Sequence, residues 1–219
     1  MPVSPLPRRD AASRANLNIA GRLAAPVTMA HERVMTVDSQ IGAALHGNGL
    51  RRGTVVTIDG AGSAAATLEL LSATTRIGEW GAVVELSSRP REMAGLAAAE
   101  VGVSLERCAI VRDVSSERWP AVISALLEAM SMVATAVPSN VRMADARRLI
   151  TRARERQAVL VVVGAGWPAE ASLRINAGPS RWHGLEFGDG LLAYRDLSIA
   201  IADKGAVRHA HLGQRALAG

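Results

Sequence analysis

The sequence predicts an α/β fold: a mainly parallel sheet flanked by helices, with antiparallel C-terminal strands and a short N-terminal arm. Three observations predict it. Short apolar runs alternate with helical segments between residues 54 and 164, the order that produces right-handed βαβ crossovers. The runs are nearly continuous apolar segments, as strands buried on both faces are. Beyond residue 171, extended runs follow one another without helices between them.

Each element has a local signal. The predicted strands are 54–58, 81–87, 107–113, 130–137 and 158–164, and the predicted helices between them are 64–78, 90–102, 116–129 and 139–157. A shorter helix is predicted to begin at Asp38 or Ser39, since such side chains cap helix N-termini, and to stop at Gly47 and Gly49. The runs 172–178, 182–187 and 191–203, with turn residues in "EFGDGLL", predict the antiparallel end of the sheet.

The chain divides into three segments by composition. Residues 1–36 are predicted to be an N-terminal arm, partly disordered because prolines and arginines crowd its start. Residues 37–203 are predicted to be the core. Residues 204–219 are basic and rich in small residues, and they are predicted to be a flexible tail.

Composition limits the classes of function. The net charge of +5 suits an acidic partner such as nucleic acid or an acidic protein surface, although arginines that only solvate the surface would give the same total. The single cysteine, Cys108, excludes an internal disulfide. Because no apolar stretch reaches about 18 residues, nothing is predicted to span a membrane, and a cytoplasmic location is expected.

The stretch "DGAGSAAATLEL" stands where a nucleotide-binding protein would hold its phosphate loop, between a strand and a helix. The phosphate-loop pattern is G-x-x-x-x-G-K-[ST]. Gly60 and Thr67 occupy the first and last positions, with Gly62 between them, but Ala65 and Ala66 replace the second glycine and the lysine. The stretch is therefore interpreted as a degenerate phosphate loop.

Together these motifs resemble the RecA-type ATPase core. The lead-in "GNGLRRG", the degenerate loop, the "WPAVISALLEAM" helix and the terminal "SLRI…SRWHGLEFGDGLLAYRDLSI" segment are most similar to ImuA-prime-like proteins, diverged RecA relatives of the bacterial DNA-damage mutagenesis cassette. The resemblance covers residues 36–203. SulA-like cell-division inhibitors, which are also diverged relatives, remain an alternative.

The resemblance implies which catalytic groups should be present. A magnesium-binding acid should end the strand at Thr135 and Ala136, and the catalytic glutamate should stand at Ser87. With the lysine also missing, three components of phosphoryl transfer are absent. We therefore expect no enzymatic activity, no cofactor and no metal; weak nucleotide binding through the backbone cradle remains an alternative.

The resemblance implies a non-catalytic adaptor in SOS-induced translesion synthesis and mutagenesis, nucleoid-associated during DNA damage. Its expected partners are an ImuB-like Y-family polymerase homologue, RecA and the error-prone polymerase complex on the β-clamp. Weak, sequence-independent and salt-dependent DNA binding is also expected. The N-terminal arm offers Leu17, Ile19 and Leu23 for docking, or for packing on its own core.

Partner-binding candidates lie in the C-terminal half. Arg148, Arg152 and Arg156 form one helical stripe, interpreted as a docking surface or as a solvated face. Trp182 and His183 are interpreted as an interface anchor or as a packing wedge. Arg208 and Arg215 supply cations in the tail, whose His209 and His211 lack a third metal ligand nearby.

Overall fold

The computed structural model describes residues 34–88, 95–184, 194–203 and 205–215, and of Gln214 and Arg215 it describes only the backbone. All of them belong to one compact unit, Arg33–Gly219. The helices are α1 (Gln40–Ala44), α2 (Ser63–Arg76), α3 (Gly95–Glu100), α4 (Trp119–Leu126) and α5 (Met143–Arg156). The strands are β1 (Val34–Thr36), β2 (Gly49–Arg51), β3 (Val55–Asp59), β4 (Gly81–Leu86), β5 (Cys108–Val114), β6 (Met132–Ala136), β7 (Val159–Val163), β8 (Leu173–His183), β9 (Tyr194–Asp203) and β10 (Ala206–Arg215).

Eight strands form one sheet in the order β10-β9-β8-β3-β7-β6-β4-β5. Neighbouring strands from β8 to β5 are parallel, whereas β8, β9 and β10 are antiparallel to one another. β1 and β2 form a separate antiparallel pair. The predicted fold class, a mainly parallel sheet between helices with antiparallel C-terminal strands, is confirmed.

Two apolar cores cover the two faces of the sheet. Because successive strand residues point to opposite faces, Val55 and Val56 of β3 enter different cores. Leu70 and Leu71 of α2 belong to the core that extends over β8 and β9. Helices α4 and α5 cover the opposite face of the parallel strands. The end of β3 leads directly into α2, so residues 59–67 lie at the carboxyl edge of the sheet.

The tail prediction was wrong. Ala206–Arg215 forms β10, which pairs with β9 along its whole length. Ala210 and Leu212 point into the core and are buried, and strand pairing satisfies the backbone groups that a free tail would leave to water. Small residues had suggested flexibility, but in β10 they fit an edge strand.

Other predictions differ from the structure mainly at element ends. Ser39 does cap a helix, since its hydroxyl accepts a bond from the Gly42 amide at 3.5 Å, but α1 ends at Ala44. Residues 1–33 of the predicted N-terminal arm, residues 90–94 of the predicted helix 90–102 and the whole "EFGDGLL" turn lie outside the described residues, whereas residues 34–36 of the arm form β1. Every described helix is too short or too polar to traverse a lipid bilayer.

Candidate functional site

The loop between β3 and α2 is a tight turn whose amide groups already have acceptors within the protein. The Gly60 amide donates to Asp59 Oδ1 at 2.8 Å, and the Gly62 amide donates to the Ala177 carbonyl at 3.1 Å. The Ser63 amide donates to the Gly60 carbonyl at 3.1 Å. A phosphate loop instead directs such amides at the phosphate oxygens. Three donors of the expected cradle are thus occupied.

Strands β8 and β9 pack closely against the glycines of the loop. A Cβ atom added at Gly60 would stand 2.2 Å from the Ala177 carbonyl oxygen, and one at Gly62 would stand 2.3 Å from Leu197 Cδ1. Gly60 also has a φ of +97°, which glycine adopts without strain. The close approach of β8 and β9 is therefore a sufficient reason for both glycines.

The remaining loop positions point into the core. Ala65 and Ala66 lie in the first turn of α2 and are buried in the core. The Thr67 hydroxyl, the group that would bind magnesium, donates to the Ser63 carbonyl at 2.8 Å, and the residue is 8% exposed. Thr67 is therefore buried and bonded to its own helix rather than facing an open site.

The residues at the two positions where acids were expected form hydrogen bonds of other kinds. Thr135, at the end of β6, accepts a hydrogen bond of 2.8 Å from Trp119 Nε1. Ser87 follows β4, and its amide donates to the Val114 carbonyl. The buried carboxylate of Glu85 accepts a bond of 3.0 Å from Arg112 Nε on the edge strand β5. Glu85 lies on β4, three strands from β3, so it is remote from the loop.

A cavity of about 470 Å³ opens beside the loop, at the carboxyl ends of β3 and β7. Asp59, Arg174 and Asn176 supply its polar lining, and Trp167 forms one wall. Trp167 Nε1 is buried and has no hydrogen-bond partner among the described residues. Ligands of open α/β sheets bind at such carboxyl edges, but the lining is small and mostly apolar.

The structure places Arg148, Arg152 and Arg156 on one side of α5, as predicted, and it also gives each of them an acidic partner. Arg152 Nε lies 3.1 Å from Glu128 Oε1, and Arg156 pairs with the same carboxylate. Arg152 also pairs with Glu155. Arg148 is 83% exposed and only 3.9 Å from Asp145. Much of the charge of this stripe is neutralised within the fold.

Arg148 also borders a groove of about 820 Å³ between α4 and α5. Pro120, Val141 and Leu149 contribute apolar surface to this groove, which we call the α4–α5 groove. Arg142 lies on its rim together with Arg148. The groove thus combines an apolar floor with exposed guanidinium groups.

Trp182 and His183 lie at the end of β8, and their side chains point in different directions. Trp182 is half exposed, and the guanidinium of Arg195 lies over its ring at 5.5 Å. His183 stacks on Tyr194 with ring centroids 4.3 Å apart. Its Nε2 lies 3.3 Å from Asp196 Oδ1 but has no hydrogen-bond partner among the described residues.

The tail arginines are remote from the α5 stripe. Arg208 lies on β10 and donates to the Ala44 carbonyl at 3.4 Å, while the Arg215 side chain is outside the described residues. β10 is four strands from β7, which is about 19 Å at ordinary strand spacing. No group of three metal-ligating side chains occurs in the described part of the chain.

Sequence reasoning missed two features of this region. One is the Trp119–Thr135 hydrogen bond, which no local pattern indicates. The other is a second arginine stripe on α5, Arg147 and Arg154, which are exposed and form no ion pair with another described residue. Their spacing of seven residues could have indicated it.

Comparison with known proteins gave one result. The family model described as MT3502 N-terminal domain matches residues 43–169, which is more than half of the chain. The match includes the degenerate loop, α4 and α5. A search of curated proteins found no match.

Proposed function

The chain belongs to the MT3502 N-terminal domain family, and we propose that it is a non-catalytic adaptor in SOS-induced translesion synthesis and mutagenesis. Its core keeps the α/β scaffold of a RecA-type ATPase while the nucleotide site is closed. In this function it bridges RecA and an ImuB-like Y-family polymerase homologue, and through them the error-prone polymerase complex on the β-clamp. These partners come from the ImuA-prime-like resemblance.

The closed phosphate loop is the observation that carries the proposal. Phosphoryl transfer depends almost entirely on positioning and charge stabilisation. Here the Gly62 amide is bound to Ala177, and Ala66 supplies no cation. The Leu197 side chain packs against Gly62 of the loop. A protein of this build acts through its surfaces, which supports an adaptor over an ATPase or a nucleotide-binding RecA paralogue.

The α4–α5 groove is the surface that we assign to the polymerase homologue. Interfaces need a desolvated apolar centre bordered by polar groups, and arginine is enriched among residues that dominate binding. Pro120, Val141 and Leu149 supply the apolar part, and Arg142 and Arg148 supply the rim. Arg152 and Arg156 stabilise the groove indirectly, because both pair with Glu128, which closely follows α4.

A binding assay with purified proteins tests the proposal. The full chain and an ImuB-like homologue should co-elute, and Arg148→Glu should weaken the complex at least about tenfold, as expected for a residue that dominates an interface. The matched control is Arg174→Glu, a charge reversal at an exposed arginine on β8. Circular dichroism verifies that both variants fold.

Each other outcome points to a different function. Binding to the division GTPase instead of the polymerase homologue would identify a SulA-like inhibitor. ATP binding at micromolar concentration would show that the loop opens, and it would overturn the adaptor proposal. If both reversals leave the polymerase complex intact, the groove is not its interface.

A further inference from the structure

Helix α5 carries five arginines and two acids, and the arginines differ in whether they have an acidic partner. Arg148, Arg152 and Arg156 face acidic side chains on α5 itself or, for Glu128, just after α4. Arg147 and Arg154 are exposed and pair with no described acid. The helix therefore has a largely neutralised side beside α4 and a separate cationic side facing solvent.

The two unpaired arginines lie on one face. Seven residues make nearly two full turns of an α-helix and rise about 10.5 Å. Thr151 lies between them and is also exposed. The opposite side of the helix is buried through Ala146, Leu149 and Ala153, so Arg147 and Arg154 project away from the core.

The β2–β3 turn, which follows Arg51, packs against the end of α5. A Cβ atom added at Gly53 would lie 3.2 Å from Arg154 Cα, and the Gly53 amide donates to the Ala158 carbonyl. The turn is therefore packed on the end of α5. Arg51, two residues earlier, is exposed and has no described acidic partner.

We propose that Arg51, Arg147 and Arg154, here called the outer arginine face, bind the phosphate backbone of nucleic acid. Binding through this face does not depend on the adaptor function proposed above. It also differs from the α4–α5 groove, which lies on the neutralised side of the helix.

The chemistry of the face favours nucleic acid over an acidic protein. A protein interface needs apolar residues at its centre, but of the two residues between the α5 arginines on the helix surface, Ile150 packs against the core and Thr151 is polar and exposed. Phosphate contacts need only guanidinium or ammonium groups, and they carry no sequence information. Arginine gives planar, bidentate contacts to phosphate oxygens. The expected binding is therefore electrostatic, sequence-independent and salt-dependent.

The expected magnitude follows from counterion release. Each phosphate contact adds about 0.7 to the slope of log K against log salt for single strands, and about 0.9 for duplex DNA. At about 0.1 M salt, losing two contacts should weaken single-strand binding roughly 25-fold and lower the slope by about 1.4.

The test measures fluorescence anisotropy of a labelled oligo-dT strand and a labelled duplex over a salt series. The full chain is compared with Arg147→Gln/Arg154→Gln. The matched control is Arg174→Gln/Arg181→Gln, which removes two exposed arginines on β8 that have no described acidic partner. A second control, Arg147→Lys/Arg154→Lys, keeps the charge and should retain most of the binding. Circular dichroism verifies folding.

The proposal holds if the α5 variant loses affinity and slope while the β8 variant keeps both. A strand preference would then show which form of nucleic acid fits. Equal losses in the two glutamine variants would mean that only net charge matters, and would overturn it. Absence of DNA binding at low salt would also overturn it. So would a variant that binds both DNA probes normally but loses affinity for labelled polyglutamate, a probe for acidic protein.

Discussion

The indole Nε1 of Trp119 donates a hydrogen bond of 2.8 Å to the hydroxyl of Thr135, and both residues are almost completely buried. The same hydroxyl donates to the Ala136 carbonyl at 3.1 Å. Thr135 stands where the RecA resemblance places a magnesium-binding acid. The first residue of α4 is therefore joined to the end of β6 by a neutral hydrogen bond.

Removing the acceptor of this bond should destabilise the fold. Thr135→Val keeps the side-chain shape but leaves Trp119 Nε1 buried without a partner, which should cost about 1–3 kcal/mol. Trp119→Phe with Thr135→Val removes both polar groups, so it should cost less than the sum of the single changes. Urea unfolding of the three variants measures this coupling, and strictly additive effects would contradict it.

Restoring the missing lysine should damage the fold rather than create an ATPase. Ala66 is fully buried beneath β8 and β9, so Ala66→Lys must bury an ammonium group or displace those strands. The expected loss of unfolding free energy is more than about 3 kcal/mol. Ala64→Lys, exposed in the same turn, should change stability by under about 0.5 kcal/mol.

Steady-state phosphate release should be absent from the wild-type protein and from both lysine variants. Thermal unfolding with and without ATP tests binding separately. A stable Ala66→Lys protein whose Tm rises with ATP would show that the loop can open.

Strand β10 should be required for stability. Leu212 is buried against the core, so Leu212→Ala should lower the unfolding free energy by about 2–4 kcal/mol. Val207 lies on the exposed side of the same strand, and Val207→Ala should cost under about 1 kcal/mol. Guanidinium unfolding compares the two, and similar small effects would indicate a dispensable strand.

Stability should depend on pH through Glu79. Burial raises the pKa of its carboxyl, but hydrogen bonds from Arg52 and Ser131 and the charge of Arg52 outweigh it, so the pKa lies below its ordinary value. The stabilisation is therefore complete above the ordinary carboxyl pKa, about 4.3, and is lost as pH falls through the folded-state value.

Glu79→Gln should therefore lower the unfolding free energy by about 1–2 kcal/mol at neutral pH, and the difference from wild type should vanish in acid. Glu106→Gln, at an exposed carboxyl without a described cationic partner, is the control and should have little effect. Urea unfolding between pH 3 and pH 7 measures both. A difference that persists unchanged in acid would contradict the assignment.

The sequence by itself determined the alternation of strands and helices, the parallel centre of the sheet and its antiparallel end. These follow from local patterns, because apolar runs and helical spacing report burial directly. It also located the degenerate loop, because Ala65 and Ala66 stand where the phosphate-loop pattern requires a glycine and a lysine. The arginine stripe of α5 was predictable for the same reason.

Only the tertiary structure decided what these residues contact. Leu197 and Ala177 close the loop from more than a hundred residues away, and Glu128, just after α4, neutralises Arg152 and Arg156. β10 is a strand because β9 offers it a complete edge. Spacing along the chain reports which face a residue occupies, whereas contacts between distant elements depend on how the sheet and helices pack.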